Sequence, residues 1–295
     1  MRAAAEPSGE RDLAAFRSLV LGRGKELYRD LPWRRTRDPY QIWISEVMLQ
    51  QTQTTRVDGR WQRWLERFPT PVALAAAEPA DVLEEWQGLG YNRRALALHR
   101  AAQAVAALGG ELPAETAALE ALPGVGPATA AGIRAFAFDL PSVYLETNVR
   151  TVLLHELFPG EERVSDRTLV PILRATCPPD ASDPADDPRT WYYALLDYGA
   201  YLKRTVPNPS RRSAGHARQS RFEGSHRQKR AELLRVLLAH RGEPRGVGLK
   251  TICEEFASVE EKAGRRPISA SEVEALLGEL SREGFCQPGD GAWHV

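Results

Sequence analysis

The chain has 295 residues, 43% of them hydrophobic, enough for one large and one small packed domain. Lys plus Arg and Asp plus Glu both number 39, so no whole-molecule field announces a nucleic-acid partner. No apolar run has the length of a membrane helix, and the start "MRAAAEPSGERD" is too polar for a secretory signal. Three widely spaced cysteines, Cys177, Cys253 and Cys286, exclude a disulfide framework and a CxxC metal cluster, so the expected compartment is a reducing cytoplasm.

The predicted elements are helical almost throughout. "RDLAAFRSLVLGRGKELYRDL" places Leu13, Phe16 and Val20 at helical spacing. Asp38 and Pro39 read as N-cap and first residue of the helix through "YQIWISEVMLQQT". "GRWQRWLERF" and "PADVLEEWQGLG" are shorter helices, the second stopped by Gly88 and Gly90. "NRRALALHRAAQAVAALGG" ends at Gly109 and Gly110. "CPPDASDPADDP" reads as a solvated acidic loop. Lys203 to Arg230 is strongly basic, with Glu223 its one acid. After Arg227 come an amphipathic helix, a short helix in "GLKTICEEF", a third begun by Ser271 as N-cap, and a Gly-Asp-Gly turn between short extended pieces. That order predicts a winged-helix-like domain over 226–295, behind a first domain at 1–225; a plain helical appendage is the alternative.

Three polar interruptions stand out. In "ALPGVGPATAAGIRA" a Gly-x-Gly turn between helices bares N–H groups that suit a phosphate, or else permits close helix packing. Glu46, Gln50 and Gln53 share one helical stripe. They form a solvated face, or Glu46 is a carboxyl raised in pKa by Trp43, Val47 and Leu49 and able to act as general acid. Glu146, Thr147 and Asn148 open a helix; they cap it, or Glu146 faces a developing cation.

"LPWR", "SEVMLQQTQ", "GLGYNRRALALH", "LPGVGPATAAG" and "LETNVRTV", in this order and spacing, resemble the helix-hairpin-helix DNA glycosylases, above all the adenine glycosylases of the MutY type, over residues 12–204. The resemblance implies an all-α fold of two lobes with a DNA cleft, and extrusion of one nucleotide before its base is cut from the sugar. It implies that Leu122, Gly124, Val125 and Gly126 grip a phosphate and that Glu46 protonates the purine. It places Glu146 at the aspartate that stabilises the sugar cation, with Asn148 beside it. Gln50, Gln51 and Thr52 match the segment pushed into the gap, and Tyr91 lies in a second wedge. Arg34, Leu49 and Tyr193 fall in the base pocket.

Four departures qualify the likeness. Glu146 is one methylene longer than the family's Asp. Ala128 stands where endonuclease III has its Schiff-base lysine and MutY-type enzymes often have Ser or Tyr, so hydrolysis without lyase chemistry is expected. From Lys203 onward, the family's four cluster cysteines are replaced by Lys203, Ser210, Ser213 and Gln219, so no metal and no iron–sulfur cofactor is expected. The basic loop 203–225 covers that stretch, and Arg211, Arg212 and Arg218 are expected on phosphates rather than merely solvated. Tyr193 replaces the Gln or Glu that reads adenine; it can donate one hydrogen bond and stack. The tail does not resemble the family's Nudix-like 8-oxoguanine reader. The expected activity is a monofunctional glycosylase acting on a mispaired or damaged base in duplex DNA, adenine first, with hypoxanthine, a mismatched pyrimidine or a non-catalytic DNA binder as alternatives. The expected state is a monomer at the bacterial nucleoid, away from membranes.

Overall fold

Proline and glycine punctuation sets most helix boundaries. The computed structural model describes residues 10–216 and 221–295. In chain order the helices are α1 (Glu10–Leu27), α2 (Pro39–Leu49), α3 (Thr54–Val57), α4 (Arg60–Arg67), α5 (Pro71–Ala75), α6 (Pro79–Trp86), α7 (Arg93–Ala107), α8 (Thr116–Glu120), α9 (Pro127–Phe138), α10 (Thr147–Glu156), α11 (Asp166–Thr176) and α12 (Pro188–Thr205). There follow α13 (His226–Ala239), β1 (Val247–Gly248), α14 (Leu249–Lys262), α15 (Ala270–Arg282), β2 (Gln287–Pro288) and β3 (Ala292–His294). Proline opens α2, α5, α6, α9 and α12, where a missing N–H leaves no bond unmade. Asp38 caps α2 as expected, accepting from Gln41 N at 3.0 Å. Ser269, not Ser271, caps α15. The acidic loop is not merely solvated: Asp187 caps α12 and Asp186 pairs with Arg17.

The chain divides into two compact units, Met1–Gln50 with Leu112–Ala217 and Gln51–Glu111 with Arg218–Val295. In the first, α12 lies against α1 and α10, and α2 packs on α9. Its core is built from Phe16, Val20, Ile42, Phe136, Leu153 and Trp191, all buried. Apolar residues at helical spacing on each element meet there and supply the main folding force.

In the second unit α5 and α6 pack on α7, around a Trp64–Trp86 edge contact at 5.6 Å. The tail has the order helix, strand, helix, helix, strand, strand, with β3 antiparallel between β1 and β2. Ile252, Phe256, Leu276 and Leu280 fill its core. The tail belongs to the same unit as residues 51–111. Glu283 accepts from Arg93 and Arg230, and Arg241 reaches Asp81 and Glu84.

Candidate active site

Glu46 sits on the third turn of α2, whose surrounding residues Trp43, Ile44, Ser45, Val47 and Met48 are all buried, so the helix carries it inward. It is 9% exposed. Of the two sequence readings of this stripe, the solvated face fails: α2 stops at Leu49, Gln53 precedes α3 as its N-cap instead of extending the stripe, and Gln50 turns to donate to Thr129 Oγ1 at 2.8 Å. Burial lifts the Glu46 carboxyl to about 8. A hydrogen bond from the Tyr144 hydroxyl, 3.0 Å from Oε2, and the nearby Arg34 oppose that rise, while the Glu146 charge adds to it. Gly132 on α9 makes the room. A Cβ there would lie 2.3 Å from Glu46 Oε2 and 3.0 Å from Tyr144 Cε2.

Glu146 is the N-cap of α10, and its Oε1 accepts from Asn148 N at 2.6 Å and Val149 N at 3.0 Å. Burial raises its pKa, and these two backbone bonds, with Lys203 and Arg150, oppose the rise. The helix N-terminus favours the ionised form. Capping and catalysis were rival readings of this residue, but the geometry makes them compatible, because the cap fixes where the charge stands. Asn148 is half-buried and accepts from Lys203 Nζ at 3.3 Å. Sequence reasoning missed Gly199 on α12, where a Cβ would meet the Asn148 carbonyl oxygen at 2.2 Å. The glycine lets α12 press against the start of α10; a lone Gly inside the helical run "LLDYGAYL" was the available signal.

Arg34 is buried on the short 3-10 turn Pro32–Arg34 and forms a two-pronged bond to Asp197, at 2.7 and 2.8 Å. Arg29 also donates to Asp197, by its backbone N–H at 3.0 Å and by Nε at 2.5 Å. Neither Asp197 nor Arg29 was singled out from sequence. An acid one turn beyond Tyr193, on the helix face that turns inward, was the readable hint. Tyr193 is sandwiched: Phe136 stacks on it at 4.5 Å, and the Arg34 guanidinium lies 4.2 Å from its ring centre. With both faces covered, the expected stacking on a base does not fit, and its ring serves to set Arg34. Leu49 ends α2 half-buried, one turn after Glu46.

The hairpin joins α8 to α9, with Leu122 and Val125 buried beneath it and Gly124 and Gly126 exposed. Gly124 has φ +78°, a conformation that favours glycine. A Cβ at Gly126 would meet nothing, so close packing within the chain is not what requires that glycine. Ala128 is exposed on the first turn of α9.

In the second unit the two expected wedges come together. Arg94 donates to Thr52 Oγ1 at 3.2 Å and to the carbonyls of Leu89 and Gly90 at 3.2 and 3.0 Å. Burial lowers the Arg94 pKa to about 10. Gln51 and Tyr91 both adopt left-handed backbone, at φ +54° and +50°. A non-glycine residue held so costs about 1–3 kcal/mol and is found most often at functional positions. Tyr91 accepts from Arg227 of α13 at 2.8 Å.

Residues 44–209 match the HhH-GPD superfamily base excision DNA repair protein family. The chain belongs to this superfamily. It is 37% identical over 227 residues to an adenine DNA glycosylase of Mycolicibacterium smegmatis, covering 71% of this chain and 75% of that protein. It is 36% identical over 215 residues to an adenine DNA glycosylase of Mus musculus, covering 70% of this chain but 40% of the mouse protein. A thermostable thymine-DNA glycosylase structure shares the fold at TM-score 0.56 and 24% identity, over 64% of this chain and 87% of its own.

The HhH-GPD likeness brings the iron–sulfur cluster into question at the loop after α12. Ser210 Oγ donates to Asn208 Oδ1 at 2.8 Å, Ser213 is buried, Lys203 reaches Asn148, and Gln219 lies outside the described residues. Hydroxyls and an ammonium are not the thiolates such a cluster needs, so these positions do not fit it. Arg212 also departs from its expected phosphate role. Its guanidinium donates to the carbonyls of Phe158, Leu154 at 2.6 Å and Glu161 at 3.2 Å, closing the C-terminal end of α10. Val164 N bonds Arg212 O at 3.0 Å and Ala214 N bonds Val164 O at 2.9 Å. Arg211 is exposed, and Arg218 lies outside the described residues. Among the described residues no helix is long and apolar enough to cross a membrane.

Proposed function

We propose that this HhH-GPD protein is a DNA N-glycosylase that removes adenine from mispairs in duplex DNA by hydrolysis, leaves the strand uncut, and works as a monomer without an iron–sulfur cluster. The observation that carries the reading is the buried Glu46, its carboxyl bonded by Tyr144, in the same site as Glu146 capped onto α10. A carboxyl with pKa about 8 holds its proton at neutral pH and can deliver it to a ring nitrogen of the flipped purine. The glycosidic electron pair then leaves with a neutral base. The Glu146 carboxylate faces the positive charge that grows on the sugar, and water adds to the anomeric carbon. Asp197 takes both prongs of the Arg34 fork, which leaves the buried, unpartnered Nε as a donor for a base edge. Gly124 and Gly126 are exposed at the start of α9, where backbone N–H groups suit a phosphate, and Gln51 and Tyr91 suit insertion into the stack. Ala128 offers no amine, which supports hydrolysis without lyase chemistry.

The order of α13, β1, α14, α15, β2 and β3 supports a winged-helix reading of the tail. Its last helix argues against phosphate contact there, because α15 carries Glu272, Glu274 and Glu279 against Arg282 alone. The deciding assay is single-turnover excision on duplexes bearing a panel of mispairs and damaged bases. Alkali reveals abasic sites and borohydride traps any Schiff base. Adenine release with strand breaks only after alkali is expected. Tight binding with no excision from any duplex would turn the reading to the non-catalytic binder, and efficient trapping would overturn the hydrolytic step.

A further inference from the structure

The general acid is held by a residue that the sequence reading did not mark. Tyr144 precedes Glu146 by two residues in the extended segment before α10, and its hydroxyl meets Glu46 Oε2 at 3.0 Å. The ring is locked on several sides. Phe136 meets it edge-on at 5.3 Å and Tyr192 at 5.5 Å. Its backbone N–H donates to the Tyr192 hydroxyl at 3.2 Å, which in turn donates to Ser142 O at 2.5 Å. Gly132 is hollowed out beneath both partners. A phenol so fixed cannot swing away from the carboxyl.

We infer that Tyr144 is a positioning residue for Glu46: by donating to Oε2 it leaves Oε1 to carry the acidic proton, and so fixes which oxygen delivers it. The inference rests on the glycosylase reading above and adds a residue to it. Ala128, on the first turn of α9, offers no hydroxyl, and the one bonded to the acid comes from Tyr144, two residues before the α10 cap. A protonated carboxyl has one donor and one carbonyl-type oxygen. Tyrosine as donor claims the carbonyl-type oxygen. The same bond stabilises the carboxylate formed after transfer, so the acid is stronger than burial alone would make it. The other groups near the pair are Arg34 from the 3-10 turn, Glu146 from the α10 cap and Tyr193 from α12.

The test is Tyr144→Phe, which keeps the ring and its packing and removes one oxygen. In full-length protein labelled with carboxyl-13C glutamate, the Glu46 resonance, assigned by its loss in Glu46→Gln, is titrated in both forms. The Glu46 midpoint should move up by about one to two pH units in Tyr144→Phe, the size expected for losing a hydrogen bond to a charged group. Single-turnover excision should fall about tenfold at neutral pH, as a weaker and undirected acid requires, with its alkaline limb displaced by the same amount. An unmoved midpoint would overturn the inference and leave Tyr144 as packing alone. The titration needs no turnover. A wild type that excises nothing but shows the midpoint shift would therefore refute the glycosylase reading while leaving the Tyr144–Glu46 coupling in place.

Discussion

Two carboxylates in this molecule show how differently a chain can treat the same functional group. Glu46, in the first unit, is dry, faces one phenol and is pushed up to about 8 by burial. Glu283, in the second unit, is bonded by Arg93 and Arg230 and is pulled down to about 2, with burial opposing the pull. The first makes no ion pair among the described residues, with Arg34 near but not bonded to it, and keeps a proton available for transfer. The second is committed to cations and joins the tail to α7 within its unit. Charge that is fully answered does structural work; charge left under-answered in a dry place is free to do chemistry.

The largest effect expected from breaking this contrast is at Glu46. Glu46→Gln should lower single-turnover excision by about 10²–10⁴-fold, the range for a positioned general acid, with duplex affinity unchanged. Wild-type rates in that variant would remove the acid from the mechanism. Glu146→Gln should lose about 10²-fold or more, because a neutral amide no longer answers the sugar cation. Glu146→Asp keeps the charge and is a favoured N-cap, so it should retain activity well above the amide. Equal rates for the two variants would show that the charge at 146 is not what matters.

The pH behaviour sharpens the contrast. Excision should decline as pH rises through about 8, where Glu46 loses its proton. Its folded pKa lies above the ordinary 4.5, so between those values the folded state holds the extra proton, and stability falls as pH rises. Glu283 has the opposite sign. Its contribution is present above the ordinary 4.5 and is lost as pH falls toward about 2. Urea unfolding across pH should therefore show Glu46→Gln removing slope on the neutral side and Glu283→Gln removing slope on the acid side. A shared pH range for the two would contradict the assignment. The smallest effects concern the basic loop. Arg211→Ala should flatten the salt dependence of duplex binding by about one unit of slope, the signature of one phosphate contact. Arg212→Ala should instead lower the melting temperature; a melting curve unchanged by it would return Arg212 to the phosphates.

Local signals were enough for most helices and for placing Glu46 inside α2 and Glu146 at the start of α10. Asp38–Pro39, Gly109–Gly110 and the Gly-x-Gly hairpin each have a backbone cause that operates within a few residues. What could not be read depends on distant partners. Nothing near Tyr144 in sequence announces Glu46, which lies 98 positions away, and Asp197 meets Arg34 across 163. Gly132 and Gly199 look like weak helix positions until the atoms that press on them are known. Arg212 read as one of a run of cations, because the carbonyls it closes belong to the end of α10 and the turn after it, more than fifty residues earlier. The β1 strand escaped notice because two residues carry no alternation.

The Arg212 clasp bears on how the protein comes to life in a cell. A guanidinium set on three carbonyls is assembled by the ribosome's product alone, and it has no oxidation state to lose. In the reading proposed above, residues 212–214 are held by these bonds and by the pairing with Val164, with no part for iron or for the enzymes that build clusters. Oxidants that strip metal from thiolates find nothing to attack in the clasp, so this end of α10 should stay closed through the same episodes of chemical stress that damage DNA bases.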